Sequence, residues 1–235
     1  MDRQIEPLGL AAIDVLAPGE GEHILDIGCG CGQTSLSLAA RVSPRGSVVG
    51  VDISKPMLEV ARRRPRPAPD LPVAFRQLDA QSGDLGHGIF DAAFSRFGVM
   101  FFSNPVAAFA NIRTSLKAGG RIAFVCWRPL SENLWMQAPL EAALPFIPTA
   151  AQPDPTAPGP FAFADASRVR SMLTNAGFDT VTINPFDARI GGPDVEQTLK
   201  LTLRVGPLGA ALREHPELAD KITGPVSLTE SESRG

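Results

Sequence analysis

Carboxylates and glycines in this chain recur at spacings that suit the binding of a small polar ligand. Asp26, Asp52 and Asp79 each stand near the end of a short apolar run, and a glycine-alternating segment, 28–32, follows the first run. Carboxylate oxygens accept hydrogen bonds from hydroxyl and ammonium groups, and glycine lets a ligand approach the backbone closely. The pattern therefore predicts a binding site made of acidic side chains and bare backbone.

The elements that must position these residues are a strand, a turn and a helix. His23–Ile27 is predicted to be a buried strand, the turn carries Gly28, Gly30 and Gly32, and a helix begins within residues 33–35. The first turn of a helix directs unpaired backbone N–H groups at whatever lies on the preceding turn. The alternative interpretation is an ordinary strand-to-helix turn that binds no ligand.

The spacing of the glycines separates this turn from other nucleotide-binding loops. Dinucleotide-binding turns read G-x-G-x-x-G, but the sixth position counted from Gly28 is Gln33. Nucleoside-triphosphate loops end in Gly-Lys-Ser/Thr, and no lysine precedes Ser54. The remaining pattern, D-x-G-x-G-x-G over residues 26–32, closely resembles the first motif of class I S-adenosylmethionine-dependent methyltransferases.

Apolar runs and helical segments alternate over residues 23–127, which implies a parallel sheet with right-handed crossovers. The predicted strands are His23–Ile27, Ser47–Asp52, Val73–Leu78, Ile89–Ser95 and Arg121–Trp127. We therefore predict an α/β fold with a Rossmann-like, doubly wound, mainly parallel sheet. Its core should cover residues 20–128 within a single domain that spans residues 1–235.

Helical spacing of apolar residues predicts the segments that connect these strands. Helices are expected over residues 4–17, from Gln33 to about Val42, from Lys55 to Arg64, and from Pro105 to a glycine turn at 117–120. The third of these should direct Met57, Val60 and Ala61 inward. Asn104 should cap the fourth helix, with Pro105 at its first position.

Further segments extend the methyltransferase resemblance over about half of the chain. They are VDIS from Val51, FDAAFSRFGVMFF from Phe90 and FVCW from Phe124. The combination looks most like the branch that contains the quinone-biosynthesis methyltransferases and many uncharacterised bacterial relatives. The resemblance implies S-adenosylmethionine as the methyl donor and transfer to a small organic acceptor. A non-catalytic cofactor-binding or partner protein is one alternative, and an NAD(P)-dependent oxidoreductase, disfavoured by the glycine spacing, is another.

The resemblance also implies how the donor is held. The glycine turn should cradle the methionine part, with Asp26 reaching its ammonium group, while Asp52 binds the ribose and residues 79–80 bind the adenine. Residues 95–96 should line the methyl-transfer end through backbone groups. For Asp52 the alternative is a cap on the next helix, and for Asp79 a solvated loop position. The predicted cofactor-binding residues are Asp26, Gly28, Cys29, Gly30, Gly32, Thr34, Asp52, Ile53, Met57, Asp79, Ala80, Gln81, Ser95, Arg96 and Phe97.

Two segments are candidates for the acceptor side. Arg96–Phe102 is too apolar for an ordinary loop and follows a strand end, where ligands of doubly wound sheets bind. It is predicted to form a pocket wall, although Phe101 and Phe102 are equally suited to core packing. By resemblance, residues 129–162 form an insertion that caps the acceptor pocket and influences substrate choice.

The last third of the chain departs from the resemblance. Helices are predicted over Leu134–Leu144, Arg168–Ala176, Val195–Val205 and Leu208–Glu214, with a sixth strand at Phe178–Ile183. The family's antiparallel last strand has no clear candidate, and little room precedes the first strand for the family's lid helix. Residues 215–235 are expected to form a tail, polar enough at its end to remain disordered.

Composition limits the other functions. The net charge of −3 and pI near 5.7 give no long-range attraction to nucleic acid. No run of about 18 apolar residues and no signal peptide is found, so we expect no membrane span and a cytoplasmic protein.

The Cys-x-Cys pair in the glycine turn lacks further ligands, so no metal site is predicted. The chain has no tyrosine, which excludes a phenolate base, and no catalytic residue is assigned. The oligomeric state is left open.

Overall fold

Strands and helices alternate along the chain as the apolar pattern predicts. The computed structural model describes residues 2–68, 70–147, 154–190, 203–204, 206–219 and 221–222. The strands are β1 His23–Ile27, β2 Ser47–Asp52, β3 Val73–Gln77, β4 Phe90–Arg96 and β5 Leu116–Val125. The helices are α1 Asp2–Leu16, α2 Gln33–Val42, α3 Lys55–Arg63, α4 Pro105–Ser115, α5 Leu134–Ala143, α6 Ala166–Asn175 and α7 Gly206–Glu214. Short 3-10 helices occupy Val99–Phe101, Leu130–Glu132, Leu144–Phe146 and Pro216–Leu218.

The five strands form one sheet in the order β3-β2-β1-β4-β5, and every pair is parallel. The predicted Rossmann-like α/β fold is therefore confirmed. Asp26 of β1 lies opposite Gly50 of β2 on one side and Phe94 of β4 on the other. The strand order reverses between β1 and β4, and loops that leave such a point in opposite directions open a crevice at the carboxyl ends of the strands.

The central strand is buried on both faces, which explains its nearly continuous apolar sequence. Successive side chains of a strand point to opposite faces. Ile24 packs in one cluster with Leu38 of α2 and with residues of α1. Leu25 and Ile27 pack in a second cluster with Phe109 of α4 and with residues of α6. Helices on both faces thus hold β1 in place while its carboxyl end stays at the crevice.

Two helix caps are present at the crevice, of which the Asn104 cap was predicted. The Asn104 side chain accepts a hydrogen bond from the Ala107 N–H at 3.2 Å, with Pro105 starting α4. Ser54 caps α3 by accepting from the Met57 N–H at 3.5 Å. These caps satisfy helix N–H groups that have no partner within the helix. They fix where the loops after β2 and β4 end, and both loops border the crevice.

The face of α3 was predicted incorrectly. Leu58 and Ala61 are the residues of this helix that are buried, whereas Met57 and Val60 are exposed. Ala61 alone among the three residues predicted to point inward does so. The short helix buries a narrower stripe than its spacing suggested, and Met57 is left free to project toward the glycine turn.

The fifth strand begins earlier than predicted. It starts at Leu116, which pairs with Phe90, while the next paired residue, Arg121, lies opposite Ala92. The predicted glycine turn at 117–120 is therefore a bulge within β5, with Gly119 at a φ of +76°. A bulge inserts unpaired residues without ending the strand, which the turn signals of the sequence do not distinguish from a true break.

The predicted sixth strand, Phe178–Ile183, does not form. Residues 178–183 carry no strand pairing; instead Phe178, Val181 and Ile183 pack against the core cluster on the α4 and α6 side. The Val181 carbonyl accepts a hydrogen bond from the Arg170 guanidinium. The apolar pattern that suggested a strand is thus satisfied by packing onto helices rather than by a ladder.

The other C-terminal predictions have mixed outcomes. The helices predicted at Leu134–Leu144, Arg168–Ala176 and Leu208–Glu214 are present as α5, α6 and α7, within two residues at each end. Most of the helix predicted at Val195–Val205 lies outside the described residues, as does residue 223 onward. None of the helices among the described residues has the length and apolar character needed to cross a membrane.

Arg121 ties three elements together at the amino-terminal edge of the sheet. Its guanidinium donates to the Leu16 and Ala17 carbonyls at 2.7 and 2.8 Å, which close α1, and makes two 2.8 Å contacts with the Glu22 carboxylate before β1. Hydrogen bonding to Arg121 is the largest cause that lowers the pKa of Glu22. Arg121 thereby anchors the end of α1 against β1 and β5.

We predict that Arg121→Gln lowers the free energy of unfolding by about 1–2 kcal/mol at neutral pH, since charged hydrogen bonds are lost from a partly exposed site. A lowered folded-state pKa means that Glu22 stabilises the fold above its ordinary value of 4.5 and less as pH falls below it. The loss of unfolding free energy caused by Arg121→Gln should therefore be smaller at acidic pH. Denaturant titrations at several pH values measure it. Arg45→Gln, which breaks the exposed pair with Glu20, is the matched control and should change little; an equal loss in both variants would contradict the prediction.

Candidate active site

The glycine turn, residues 28–32, has the backbone geometry that only glycine adopts without strain. Gly28, Gly30 and Gly32 have φ values of +64°, +54° and +80°. A Cβ on Gly28 would lie 2.7 Å from the Gly98 Cα, and one on Gly32 would lie 2.7 Å from the Phe75 ring. A Cβ on Gly30 would meet only the terminal methyl of Met57, at 2.9 Å. The turn is therefore clamped at both ends and covered at its centre by one flexible side chain.

Asp26 is fully buried beneath the glycine turn. Its Oδ2 accepts hydrogen bonds from Thr34 Oγ1 at 2.8 Å and Ser35 Oγ at 2.6 Å, while its Oδ1 is buried without a partner. Burial raises the pKa of Asp26 to about 6, although the two hydroxyls and the charge of Arg96 lower it. A buried carboxylate oxygen without a donor is costly, so this position suits a ligand that supplies a donor or a positive charge.

Asp52 shapes the turn from the end of β2. Its Oδ2 accepts from the Gly30 N–H and its Oδ1 accepts from the Ser54 N–H, both at 2.8 Å. The cap of α3 is the Ser54 side chain, so the alternative interpretation of Asp52 as the helix cap is wrong. Each carboxylate oxygen has a second lone pair. Asp52 can thus hold the glycine turn and still accept hydrogen bonds from a ligand.

Cys29 and Thr34 support the turn from within. The Cys29 N–H donates to the Val51 carbonyl at 3.1 Å, and a Cβ on Gly50 would lie 2.9 Å from its sulfur. Burial is the largest cause that raises the pKa of the Cys29 thiol well above its usual range. Among the described residues, no three His, Cys, Asp or Glu side chains are placed to hold a metal ion. In this structure both side chains serve packing and the orientation of Asp26.

Apolar side chains are exposed at the ends of β2 and α3. Ile53, which follows Asp52, is 70% exposed, and Met57, whose terminal methyl lies near Gly30, is 42% exposed. Exposed apolar groups beside polar ones are typical of a ligand site. The region therefore offers a surface for an apolar ring adjacent to hydrogen-bond acceptors.

The loop after β3 is held by its own side chains and by α4. Asp79 is exposed, and its Oδ1 accepts from the Gln81 N–H at 2.8 Å. Ala80 is buried, and its carbonyl accepts from the Asn111 side chain at 3.0 Å. Gln81 Oε1 accepts from Ser103 Oγ at 3.1 Å and from the Asn104 N–H at 2.8 Å. Gln81 thus fastens this loop to the one after β4, a role that the sequence did not reveal.

The end of β4 is joined tightly to the glycine turn. Ser95 Oγ donates to the Ile27 carbonyl at 2.8 Å and accepts from the Gly98 N–H at 3.2 Å. A Cβ on Gly98 would lie 2.8 Å from the Ile27 carbonyl oxygen. Between them Phe97 has a φ of +64°, which a bulky residue rarely adopts. The loops after β1 and β4 therefore touch through backbone atoms, and a strained residue lies at the contact.

Helix α1 reaches the site through a chain of polar contacts. Arg96 Nη1 donates to Gln33 Oε1 at 2.5 Å, and Gln33 Nε2 donates to Glu6 Oε1 at 2.7 Å. A Cβ on Gly9 of the same helix would lie 2.9 Å from Arg96 Cδ. The side chain of Arg96 is thus enclosed by α1 and α2, and α1 itself covers one side of the crevice.

An aromatic cleft of about 270 Å³ opens beside Phe97. Its walls come from α1, the end of β5, the segment that leads into α5, and residues 186–190. The residues that line it are Leu8, Phe97, Val125, Cys126, Trp127, Arg128, Glu132, Asn133, Leu134, Trp135, Phe186, Asp187, Ala188 and Ile190. Only Phe97 was among the predicted site residues. The position of Trp127 and Arg128 after a strand end was the sequence signal that could have identified them.

The family comparison agrees with this geometry. A family model described as "Methyltransferase domain" matches residues 24–120, from β1 to the bulge of β5. The match contains the glycine turn, Asp26, Asp52 and Gly98, whose contacts build the crevice. Residues 24–120 are therefore similar to methyltransferase domains.

Curated relatives of the methyltransferase domain differ in their substrates. The aklanonic acid methyltransferase DauC of Streptomyces sp. (strain C5) is 34% identical over 118 residues, which are 50% of this chain and 54% of DauC. The demethylmenaquinone methyltransferase of Symbiobacterium thermophilum is 38% identical over 107 residues, 45% of this chain and 42% of that protein. The chain thus spans about half the length of the curated relatives it matches.

Solved structures share the fold of the methyltransferase domain. The [4+2]-cyclase SpnF superposes with a TM-score of 0.56 at 20% identity, over 97% of this chain and 75% of that one. At this identity the likeness shows the fold alone. A cyclase on this fold means that the reaction must be argued from the site rather than from the architecture.

Gly28→Ala should destabilise the domain more than Gly88→Ala does. Both glycines have similar φ values, +64° and +61°, but a Cβ on Gly88 has no atom within 4 Å. The difference between the two variants in unfolding free energy isolates the steric clash with Gly98, which should cost about 1–3 kcal/mol beyond the shared backbone strain. Denaturant unfolding of both variants measures it. Equal losses would mean that the two loops can separate without cost.

Asp26→Asn should change the pH dependence of stability. Because the folded-state pKa of Asp26 is raised from 3.8 to about 6, ionisation favours the unfolded chain, and this contribution to the unfolding free energy falls as pH rises between these values. The variant keeps an oxygen that accepts from the Thr34 and Ser35 hydroxyls, but it has no titrating carboxyl group. Plotted as variant minus wild type, the unfolding free energy should rise between pH 4 and 6 and level off above. Asp84→Asn, an exposed aspartate, is the control; a flat difference curve for Asp26→Asn would contradict the assignment.

Proposed function

We propose that the chain binds S-adenosylmethionine over the glycine turn and transfers its methyl group to a small organic acceptor in the aromatic cleft. The observation that carries the proposal is the contact between Gly28 and Gly98. It joins the turn suited to a charged ligand to Phe97, which forms a wall of the cleft. A donor on one side of this contact and an acceptor on the other would be adjacent.

The residues present fit the parts of this donor. Its ammonium group matches the unpartnered, buried oxygen of Asp26, directly or through water. Its ribose hydroxyls match the remaining lone pairs of Asp52. Its adenine ring matches the exposed Ile53 and Met57, with the loop at 79–81 providing polar groups at the edge. Thr34 and Ser35, which orient Asp26, would act through it rather than touch the donor.

The chain contributes to the reaction by positioning the acceptor against the methyl group and by excluding water. S-adenosylmethionine supplies a methyl group already activated by a positive sulfur. In the transfer, a lone pair of the acceptor forms the new bond to the methyl carbon, sulfur keeps the electron pair of the broken bond, and the acceptor's proton leaves to solvent. The left-handed Phe97 and the residues after β5 would align the acceptor, which is a large part of such catalysis. Among the residues that line the cleft, the carboxylates of Glu132 and Asp187 are both paired with Arg128.

Calorimetric titration with S-adenosylhomocysteine tests the proposal, with NAD as the comparison ligand. We expect binding of S-adenosylhomocysteine and none of NAD. NAD binding alone would favour an oxidoreductase, and binding of S-adenosylhomocysteine without methyl transfer to any acceptor would favour a non-catalytic binding protein or a reaction of another kind.

Asp52→Ala should weaken the binding of S-adenosylhomocysteine by about 1.5–3 kcal/mol, the range for hydrogen bonds to a charged group. Asp84→Ala is the matched control because Asp84 Oδ1 also accepts from the N–H two residues on, at 2.8 Å, in a different loop. The control should bind as the wild type does. An unchanged affinity in Asp52→Ala would sink the ribose assignment while leaving the donor itself in place.

A further inference from the structure

The walls of the aromatic cleft differ from those of an ordinary polar pocket. Phe97 and Trp127 stack with ring centroids 4.2 Å apart and planes at 10°, and Trp127 and Trp135 meet at 5.7 Å with planes at 56°. Phe186 lines the cleft from the C-terminal segment. Aromatic rings pack most favourably against other rings in offset or tilted arrangements. The cleft is therefore suited to a flat ring rather than to a flexible chain.

The charges of the cleft are already paired. Arg128 is the one cationic residue among those that line it, and its guanidinium contacts Asp187 at 2.6 Å and Glu132 at 3.2 Å. The Asn133 side chain donates to the Arg128 and Pro129 carbonyls, both at 2.9 Å. Although Asp187 is 84% exposed, the cleft lining has two carboxylates and one guanidinium, so an anionic acceptor would have to compete with both carboxylates for Arg128. The cleft therefore disfavours negative charge.

The size of the cleft sets a further limit. Its volume of about 270 Å³ lies just below the range of roughly 300–1,000 Å³ for pockets that hold drug-sized ligands. A planar molecule of one or two rings fits within this volume.

From these features we infer that the acceptor is a compact, planar aromatic molecule without negative charge, held against Trp127 and Trp135. The inference rests on the proposed function for its chemistry, because methyl transfer is what makes the occupant an acceptor. Binding to the cleft is nevertheless measurable without turnover. Failure of the acceptor inference can therefore be separated from failure of the proposed function.

The composition of the chain provides a direct probe of the cleft. The chain has two tryptophans, Trp127 and Trp135, and both line the cleft. Protein labelled with 5-fluorotryptophan should give two fluorine signals, both from cleft walls. Trp127→Phe and Trp135→Phe assign them. The second variant removes an indole N–H that is buried without a partner, so it loses no hydrogen bond.

The experiment compares three matched probes on the labelled protein saturated with S-adenosylhomocysteine. They are 2-naphthol, which is planar and neutral, 2-naphthoate, which is planar and anionic, and decahydro-2-naphthol, which is saturated. We expect 2-naphthol to shift both fluorine signals and to bind roughly tenfold or more tightly than the other two. Equal or tighter binding of either other probe would overturn the inference, as would fluorine signals that none of the probes moves.

Two variants sharpen the test. Trp135→Leu should weaken 2-naphthol binding by roughly tenfold without changing the affinity for S-adenosylhomocysteine. Phe146→Leu, at an exposed aromatic residue outside the cleft, is its control. The double variant Glu132→Gln, Asp187→Asn frees Arg128 and should raise the affinity for 2-naphthoate by about tenfold. If naphthoate binding stays the same in that variant, the paired charges do not set the specificity.

The outcomes for the donor and for the cleft are separable. Binding of S-adenosylhomocysteine with no response to 2-naphthol would overturn the acceptor inference and leave the donor proposal in place. A response to 2-naphthol in protein that does not bind S-adenosylhomocysteine would support the cleft's preference and overturn the donor proposal.

Discussion

The backbone contact between Gly28 and Gly98 is the constraint on which the rest of the site depends. It occurs where the sheet order reverses between β1 and β4, and neither residue tolerates a Cβ because each would meet the other's backbone within 3 Å. Ser95 reinforces the contact by bonding to both loops. Because this junction is close, the glycine turn and the wall of the aromatic cleft share one rigid base.

Two aspartates with similar sequence contexts are used in different ways. Asp52 is half-buried and accepts hydrogen bonds from the backbone N–H groups of Gly30 and Ser54, so it stabilises the shape of the turn. Asp26 is fully buried, has one satisfied and one unsatisfied oxygen, and has a raised pKa. The first carboxylate organises the site, whereas the second holds an electrostatic cost that a cationic ligand would relieve.

The parts of the fold that depend on local signals were predictable. The alternating apolar runs predicted the parallel sheet, and Asn104 and Pro105 located the start of α4 because capping is decided by neighbouring residues. Phe178–Ile183 was wrongly predicted as a strand, since whether such a run pairs or packs depends on distant partners. The same reason hid the aromatic cleft. Trp127 and Phe186 are far apart in sequence, and sequence periodicity does not predict that they line the same cleft.

Phe97 connects the two halves of the crevice. It shares a peptide bond with Gly98, donates its N–H to the Val125 carbonyl at 3.0 Å, and stacks on Trp127. A change in the backbone of Phe97 would therefore disturb both the junction with the glycine turn and the stacking on Trp127. Because Phe97 is held both through its backbone and through its ring, the glycine turn and the wall of the aromatic cleft are joined at a single residue.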